Sequence, residues 1–353
     1  AQAAAEEIKV LAQRLEREVR IMEVCGSHTM AIARCGIRTL LPPNVLLLSG
    51  PGCPVCVTDG GYIDTACELA RRGICLATFG DMMKVPGSEC DLSQIRAEGG
   101  VIQVCYSPLD ALEYARAHPE KEIVFLAIGF ETTTAPVIGM LHAAITQGIG
   151  NISLLTAFKI IPPAMVVLAS DPAVQINAFL CPAHVSAIIG AAAYQVLVDR
   201  FALPCVVAGF EPLDIIYGLC GILRQLVHKT AQVENQYNRV VRAGGNKRAQ
   251  ALIAEFLKPV DASWRGIGLL QGSGMGLGEK YAEFDAEIRH GVQIELGRPN
   301  LACRCGDVLK GVINPPQCAL FGKGCTPQHP VGPCMVSSEG SCAAFYKYSG
   351  SVL

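Results

Sequence analysis

Cys53-Pro54-Val55-Cys56 sets two thiols with two residues between them. That spacing either closes a reversible disulfide or contributes two ligands to a metal ion. Gly50-Pro51-Gly52 just before it makes a tight turn at the end of an apolar run. Backbone N–H groups at such a turn, and at the helix start that follows, lower a thiol pKa and favour redox chemistry. A zinc site would normally need a second ligand pair at similar spacing. Two buried, inert cysteines are the third possibility. A further thiol lies at the end of the preceding run in Cys25-Gly26-Ser27-His28. Here Gly26 frees the backbone beside the thiol, and His28 is placed to share a metal or polarise a thiolate.

The end of the chain carries a second group of cysteines. Cys305, Cys318, Cys325 and Cys342 are separated by 12, 6 and 16 residues, with Cys303 and Cys334 surplus to a set of four. Four thiolates can hold a [4Fe–4S] cube when the chain wraps around it, and the Pro- and Gly-rich stretch around Cys318 and Cys325 suits wrapping. Zinc is the rival metal, and a metal-free tail is the third reading.

Acidic and imidazole groups stand at the ends of other apolar runs. Glu131 in GFETT and His184 in CPAHVS are candidates for acid–base or ligand-binding work, and Asp81 in TFGD is better explained as a helix cap. Neither a P-loop nor a G-x-G-x-x-G after the first strand is present, and QGSGMGLG at 271–278 does not follow a clear strand.

The elements that must position these groups are legible as short Val/Ile/Leu-rich runs. They fall at 20–25, 45–49, 74–79 and 101–105, then at 123–128, 152–157, 177–181 and 205–209. Continuous apolar strands separated by helical patterns predict parallel sheets covered on both faces. The fourth run of each set is followed by a similar pentapeptide, Tyr106-Ser107-Pro108-Leu109-Asp110 and Phe210-Glu211-Pro212-Leu213-Asp214. The expected fold is therefore α/β, with two similar doubly wound domains at 20–118 and 119–215. A smaller Fe–S domain is expected at 216–353, with the N-terminal helix 1–19 against it. Residues 215–257 read as helical with one interruption at Gly244-Gly245. Ligands in such sheets bind beyond the carboxyl ends of the strands, so the loops bearing Cys25, Cys53, Asp81, Glu131 and His184 are expected to face one cleft.

Composition narrows the function classes. The chain is 51% apolar and 17% charged, with a net charge of −2 and no basic block, which argues for a globular protein that does not bind nucleic acid. Residues 132–158 lack Lys, Arg, Asp and Glu, but Pro136, His142, Gln147, Gly148, Gly150 and Asn151 interrupt them, so no membrane span is expected. Residues 1–20 read as a charged amphipathic helix without a secretory signal. A cytoplasmic location is expected, where 17 cysteines are better read as thiols and metal ligands than as structural disulfides.

At IMEVCGSHT, GPGCPVCV, TFGDMMKVPG, GFETT, HVS, VAGFEPLD, VENQYNRVV, WRGIG, RCG and MVSSEGSCAA the chain resembles the HypD family of hydrogenase formation (maturation) proteins over essentially its whole length. The resemblance implies a scaffold and redox protein for assembling the Fe(CN)2CO group of [NiFe] hydrogenases. It implies a HypC-like chaperone as partner and cyanide made by HypF and delivered by a HypE-like donor. It implies two similar α/β domains plus a [4Fe–4S] domain. Carried over by residue, Cys25 would hold iron together with a HypC cysteine, with His28 beside it. Cys53 and Cys56 would be a redox pair, and Cys305, Cys318, Cys325 and Cys342 cluster ligands. Two positions depart from the family pattern: Met30 stands where a second His is common, and Ala183 where Gly precedes the His. The competing expectation is a cluster-dependent disulfide reductase similar to ferredoxin:thioredoxin reductase, which would not require Cys25 with His28.

Overall fold

The computed structural model describes residues 2–348. Eleven strands form among them: β1 (Val19–Glu23), β2 (Val45–Ser49), β3 (Cys75–Phe79), β4 (Ile102–Cys105), β5 (Ile123–Gly129), β6 (Ile152–Lys159), β7 (Ala178–Pro182), β8 (Cys205–Ala208), β9 (Val233–Asn235), β10 (Leu257–Trp264) and β11 (Gly268–Leu277). The first eight are the apolar runs read from the sequence. They build two sheets, ordered β2-β1-β7-β8-β9 and β10-β11-β6-β5-β3-β4. The first sheet is parallel throughout. The second is parallel from β6 to β4. Its other edge is the antiparallel hairpin β10–β11.

The two sheets repeat one strand order, but the boundary expected at 118/119 does not separate them. Each sheet takes two strands from each half of the sequence: β1 and β2 pair with β7 and β8, and β5 and β6 pair with β3 and β4. The chain therefore crosses between sheets three times, after β2, after β6 and after β9. The reason is geometric. A connection of similar length serves whether the next strand joins the same sheet or a neighbouring one, so strand spacing does not specify the sheet. The first crossing carries Cys53-Pro54-Val55-Cys56, which places the dithiol between the two units.

Alternation along the strands assigns their faces. In β5, Val124, Leu126 and Ile128 face a core shared by both sheets, while Ile123, Phe125 and Ala127 face the helices outside the second sheet. In β1, Met22 faces the shared core and Ile21 the outer layer of the first sheet. Helices 60–71 and 161–170 fill the shared core, with Ile63, Leu69, Met165 and Leu168 buried. Burying a side chain of this size is worth roughly 1.5–3 kcal/mol, so the shared layer welds the two units together.

Two other regional expectations differ from the structure. Residues 215–257 are broken well before Gly244-Gly245: helices Pro212–Val227 and Lys247–Phe256 flank β9 and a series of turns. The N-terminal helix, Gln2–Gln13, packs on helix 212–227 over the first sheet rather than on the tail. Arg224 donates to Glu7 at 2.6 Å, and the Cys220 thiol donates to the Ala4 carbonyl at 3.5 Å. Its buried stripe, Ala4, Ile8, Leu11 and Ala12, recurs at helical spacing and matches the apolar outer face of β1. Among the described residues no helix is long and apolar enough to cross a membrane.

Candidate functional site

Adjacent parallel strands end side by side, and that brings the first thiol to its partner. β1 pairs with β7. Cys25, two residues beyond β1, therefore lies across from His184, two residues beyond β7, with Sγ 3.4 Å from Nε2. Cys25 caps helix Gly26–Arg34, and backbone N–H groups of Ser27 and His28 face its sulfur. Burial outweighs them and, with Glu339 nearby, pushes the thiol pKa well up. Burial lowers the His184 pKa to about 4. A protonated thiol donating to a neutral imidazole is the arrangement these two shifts favour, with the imidazole placed to take the proton when a cation binds sulfur.

His28 is buried as well. Its Nε2 lies 2.9 Å from the Gly209 carbonyl, and Nδ1 has no hydrogen-bond partner. The Phe210 ring packs against both imidazoles, at 4.8 Å from His28 and 4.7 Å from His184. Burial depresses the His28 pKa to about 4 as well. The imidazole hydrogen-bonded to Cys25 is thus His184, from the other half of the sequence.

The dithiol is held against Cys25 by backbone. Gly26 N–H donates to the Gly52 carbonyl at 2.9 Å, and Gly50 N–H donates to the Glu23 carbonyl at 2.8 Å. A methyl group on Gly52 would stand 2.2 Å from the Cys25 nitrogen, so only glycine allows this approach. Cys53 caps the short helix Pro54–Val57, and its sulfur accepts the Cys56 N–H at 3.2 Å. Both thiols are buried and free. Burial, then the neighbouring Cys53, raises the Cys56 pKa well above its ordinary value. Beneath the site Glu23 is buried, and its carboxylate accepts from the Thr29 hydroxyl at 2.6 Å. Desolvation raises its pKa to about 7.

The tail closes the site from the opposite side. Glu339 accepts the Ser27 hydroxyl at 2.6 Å, and the Ser337 hydroxyl donates to Asp81 at 3.0 Å. The Cys56 thiol donates to the Pro333 carbonyl at 3.8 Å. Neither Glu339 nor Ser337 was singled out from the sequence. Their only signal was the SSEG run just before Cys342. Glu131 does not join this group through hydrogen bonds: one carboxylate oxygen accepts the Ile161 N–H at 3.0 Å and the other is buried without a partner. Desolvation raises its pKa to about 7.

Behind the dithiol, six cysteines line one small cavity: Cys303, Cys305, Cys318, Cys325, Cys334 and Cys342. Cys305, expected among the ligands, is instead joined to Cys334 in a disulfide. The remaining four thiols are free, and Val331 N–H donates to Cys325 sulfur at 3.3 Å. Cys303 and Cys305 are two residues apart, so sequence spacing had no means of choosing between them. Apolar Val308, Leu320, Phe321 and Met335 complete the wall. A Cβ on Gly332 would fall 2.5 Å from Cys303 sulfur, so a side chain there would press into the cavity. Four free thiols around one cavity are a donor set suited to a [4Fe–4S] cube.

The family model described as "HypD: Hydrogenase formation hypA family" matches residues 1–349. The chain is 46% identical over 341 residues to the hydrogenase maturation factor HypD of Azotobacter vinelandii, covering 94% of this chain and 90% of that protein. It is 43% identical over 340 residues to HypD of Escherichia coli K12, covering 96% and 91%. It is 45% identical over 341 residues to HypD of Rhizobium leguminosarum bv. viciae, covering 94% and 89%. With its thiol-rich cleft and a match along nearly its whole length, this chain belongs to the HypD family of hydrogenase formation proteins.

Proposed function

We propose that this protein is a hydrogenase maturation factor that holds iron at Cys25 while the Fe(CN)2CO group is assembled on it. In this reading a HypC-like chaperone supplies a second thiolate and a HypE-like donor supplies cyanide. The observation that carries it is the Cys25–His184 pair set against Cys53 and Cys56 at the junction of the two sheets. Thiolate is a soft ligand suited to ferrous iron bearing cyanide and CO, and iron binding displaces the thiol proton to His184.

Cys303, Cys318, Cys325 and Cys342 would hold a [4Fe–4S] cluster, with Cys305 withdrawn from the set by its bond to Cys334. When bound, that cluster supplies or accepts single electrons. The Cys305–Cys334 disulfide lies beside Pro333, which accepts from Cys56. Thiol–disulfide exchange follows: Cys56 thiolate attacks Cys334 sulfur and Cys305 leaves as thiolate. Cys53 then attacks Cys56 sulfur and releases Cys334. Two electrons pass from one dithiol to the other disulfide, two protons follow, and the reverse exchange re-reduces Cys53 and Cys56.

A cluster-dependent disulfide reductase would use the same relay, and the buried thiols in series favour it as the second reading. Cys25 with His184 has no task in that scheme. The test is anaerobic purification with and without a HypC-like chaperone, followed by iron and sulfide analysis and infrared spectroscopy. About four irons and four sulfides per chain, with cyanide and CO bands when the chaperone is present, are expected. A cluster without those bands under any partner condition would favour the reductase, and zinc without sulfide would defeat both.

A further inference from the structure

A second pair of thiols lies on the outer side of helix Gly60–Arg71, away from Cys25 and from the tail cavity. Cys67 projects from that helix and is buried, while Cys90, in the loop Pro86–Asp91, is half-buried. Cys90 lies close enough to Cys67 to add to the effect of burial in raising its pKa, and both line an open groove of about 490 Å³ bordered by the segment 291–298. The loop is pinned to the helix. Ser88 donates to Asp64 through its N–H at 2.7 Å and its hydroxyl at 2.5 Å, and Gly87 N–H donates to the Cys90 carbonyl at 3.0 Å. A Cβ at Gly87 would stand 2.4 Å from the Asp64 carboxylate, so the loop seats directly on the helix. The Arg71 guanidinium, one helical turn beyond Cys67, reaches the Cys90 sulfur at 3.5 Å.

We infer that Cys67 and Cys90 form a surface-accessible redox dithiol that reacts with small-molecule disulfides, with Cys90 as the attacking thiol and Cys67 as the resolving one. The roles follow from access and charge. Cys90 is open to the groove and faces a guanidinium, the setting of a reactive thiolate. Cys67 borders the same groove but is buried, so it is the less accessible of the two. Cys90 thiolate attacks one sulfur of the disulfide RSSR, forming a mixed disulfide and releasing RS⁻, which takes a proton. Cys67 loses its proton to solvent, attacks the Cys90 sulfur and releases the second RSH. The protein loses two electrons and two protons, and RSSR becomes two RSH.

The test uses the full anaerobic protein and oxidised glutathione as the probe, with free thiols alkylated and each cysteine followed by peptide mass spectrometry. Wild type is expected to yield a Cys67–Cys90 cross-linked peptide. Cys67→Ser is expected to trap glutathione on Cys90, and Cys90→Ser to leave Cys67 unmodified. Arg71→Gln should slow modification of Cys90 by about threefold, since it removes the guanidinium that sits 3.5 Å from the attacking sulfur. Absence of the cross-link in wild type, or modification of Cys90 no faster than that of half-buried Cys35, would overturn the inference. Because wild type carries the decisive readout, poor folding of a variant does not obscure the answer.

Discussion

Replacing Gly52 with alanine drives a methyl group into the backbone that carries Cys25. The new Cβ would stand 2.2, 2.3 and 2.6 Å from the nitrogen, Cα and carbonyl carbon of Cys25. Ordinary contacts begin at roughly 3.5 Å, so the two segments must part by about 1 Å. Neither can yield by a side-chain rotation. Parting them strains two backbone hydrogen bonds, from Gly26 to Gly52 and from Gly50 to Glu23. Overpacking costs about 1–3 kcal/mol and each hydrogen bond about 1 kcal/mol, so a loss of about 2–4 kcal/mol is expected. The same shift separates Cys25 from Cys53, and a misplacement of 1 Å can cost about a hundredfold in rate. Gly139, in helix Glu131–Thr146, is the control: its Cβ meets nothing within 4 Å, so Gly139→Ala should be neutral or stabilising by up to about 1 kcal/mol. Anaerobic urea denaturation gives the stabilities, and infrared bands formed with the chaperone give the loading. A Gly52→Ala protein within about 0.5 kcal/mol of wild type and loading normally would refute the steric argument.

Further outcomes follow from the same geometry. Cys303→Ala should lower the iron and sulfide content, whereas Cys305→Ala should retain the cluster, read by metal analysis and visible absorption; the opposite pattern would restore Cys305 to the ligand set. His184→Phe keeps a ring against Phe210 but removes the nitrogen 3.4 Å from Cys25, and should slow iron loading by roughly a hundredfold while leaving stability near wild type. Glu131→Gln should change the pH dependence of stability. The folded carboxyl holds its proton to about 7, while in the unfolded chain it ionises near its ordinary value, about 4.5. Between those values the folded state binds more protons, so wild type loses stability as pH rises. The variant lacks this loss, and its stability relative to wild type should climb across pH 4.5–7 by at most about 3 kcal/mol, then level off. A difference that stays flat would show that Glu131 ionises normally.

Much of the fold was legible because buried parallel strands leave continuous apolar runs. All eight such runs are strands, with ends shifted by at most two residues. What stayed hidden was partnership. The exchange of strand pairs between the sheets depends on long-range packing that a local pattern does not record. β10 and β11 were missed because the hairpin lies at a sheet edge, half-exposed and rich in glycine, so it shows neither a continuous run nor clean alternation. At the site, Cys25, Cys53 and Cys56 were legible from type and spacing, whereas the role given to His28 required geometry. His28 lies three residues from Cys25 in sequence yet points to the Gly209 carbonyl, while His184, 159 residues away, makes the contact. Glu339 was invisible for the same reason, since its partner Ser27 is 312 residues distant.

The most direct test of the assembly role is the infrared spectrum of Cys25→Ala, purified anaerobically with a HypC-like chaperone and the cyanide donor and compared with wild type at equal cluster content. The account predicts that the iron and sulfide of the tail cavity stay at wild-type levels while the cyanide and CO bands disappear. Wild-type bands in that variant would contradict the placement of iron at Cys25.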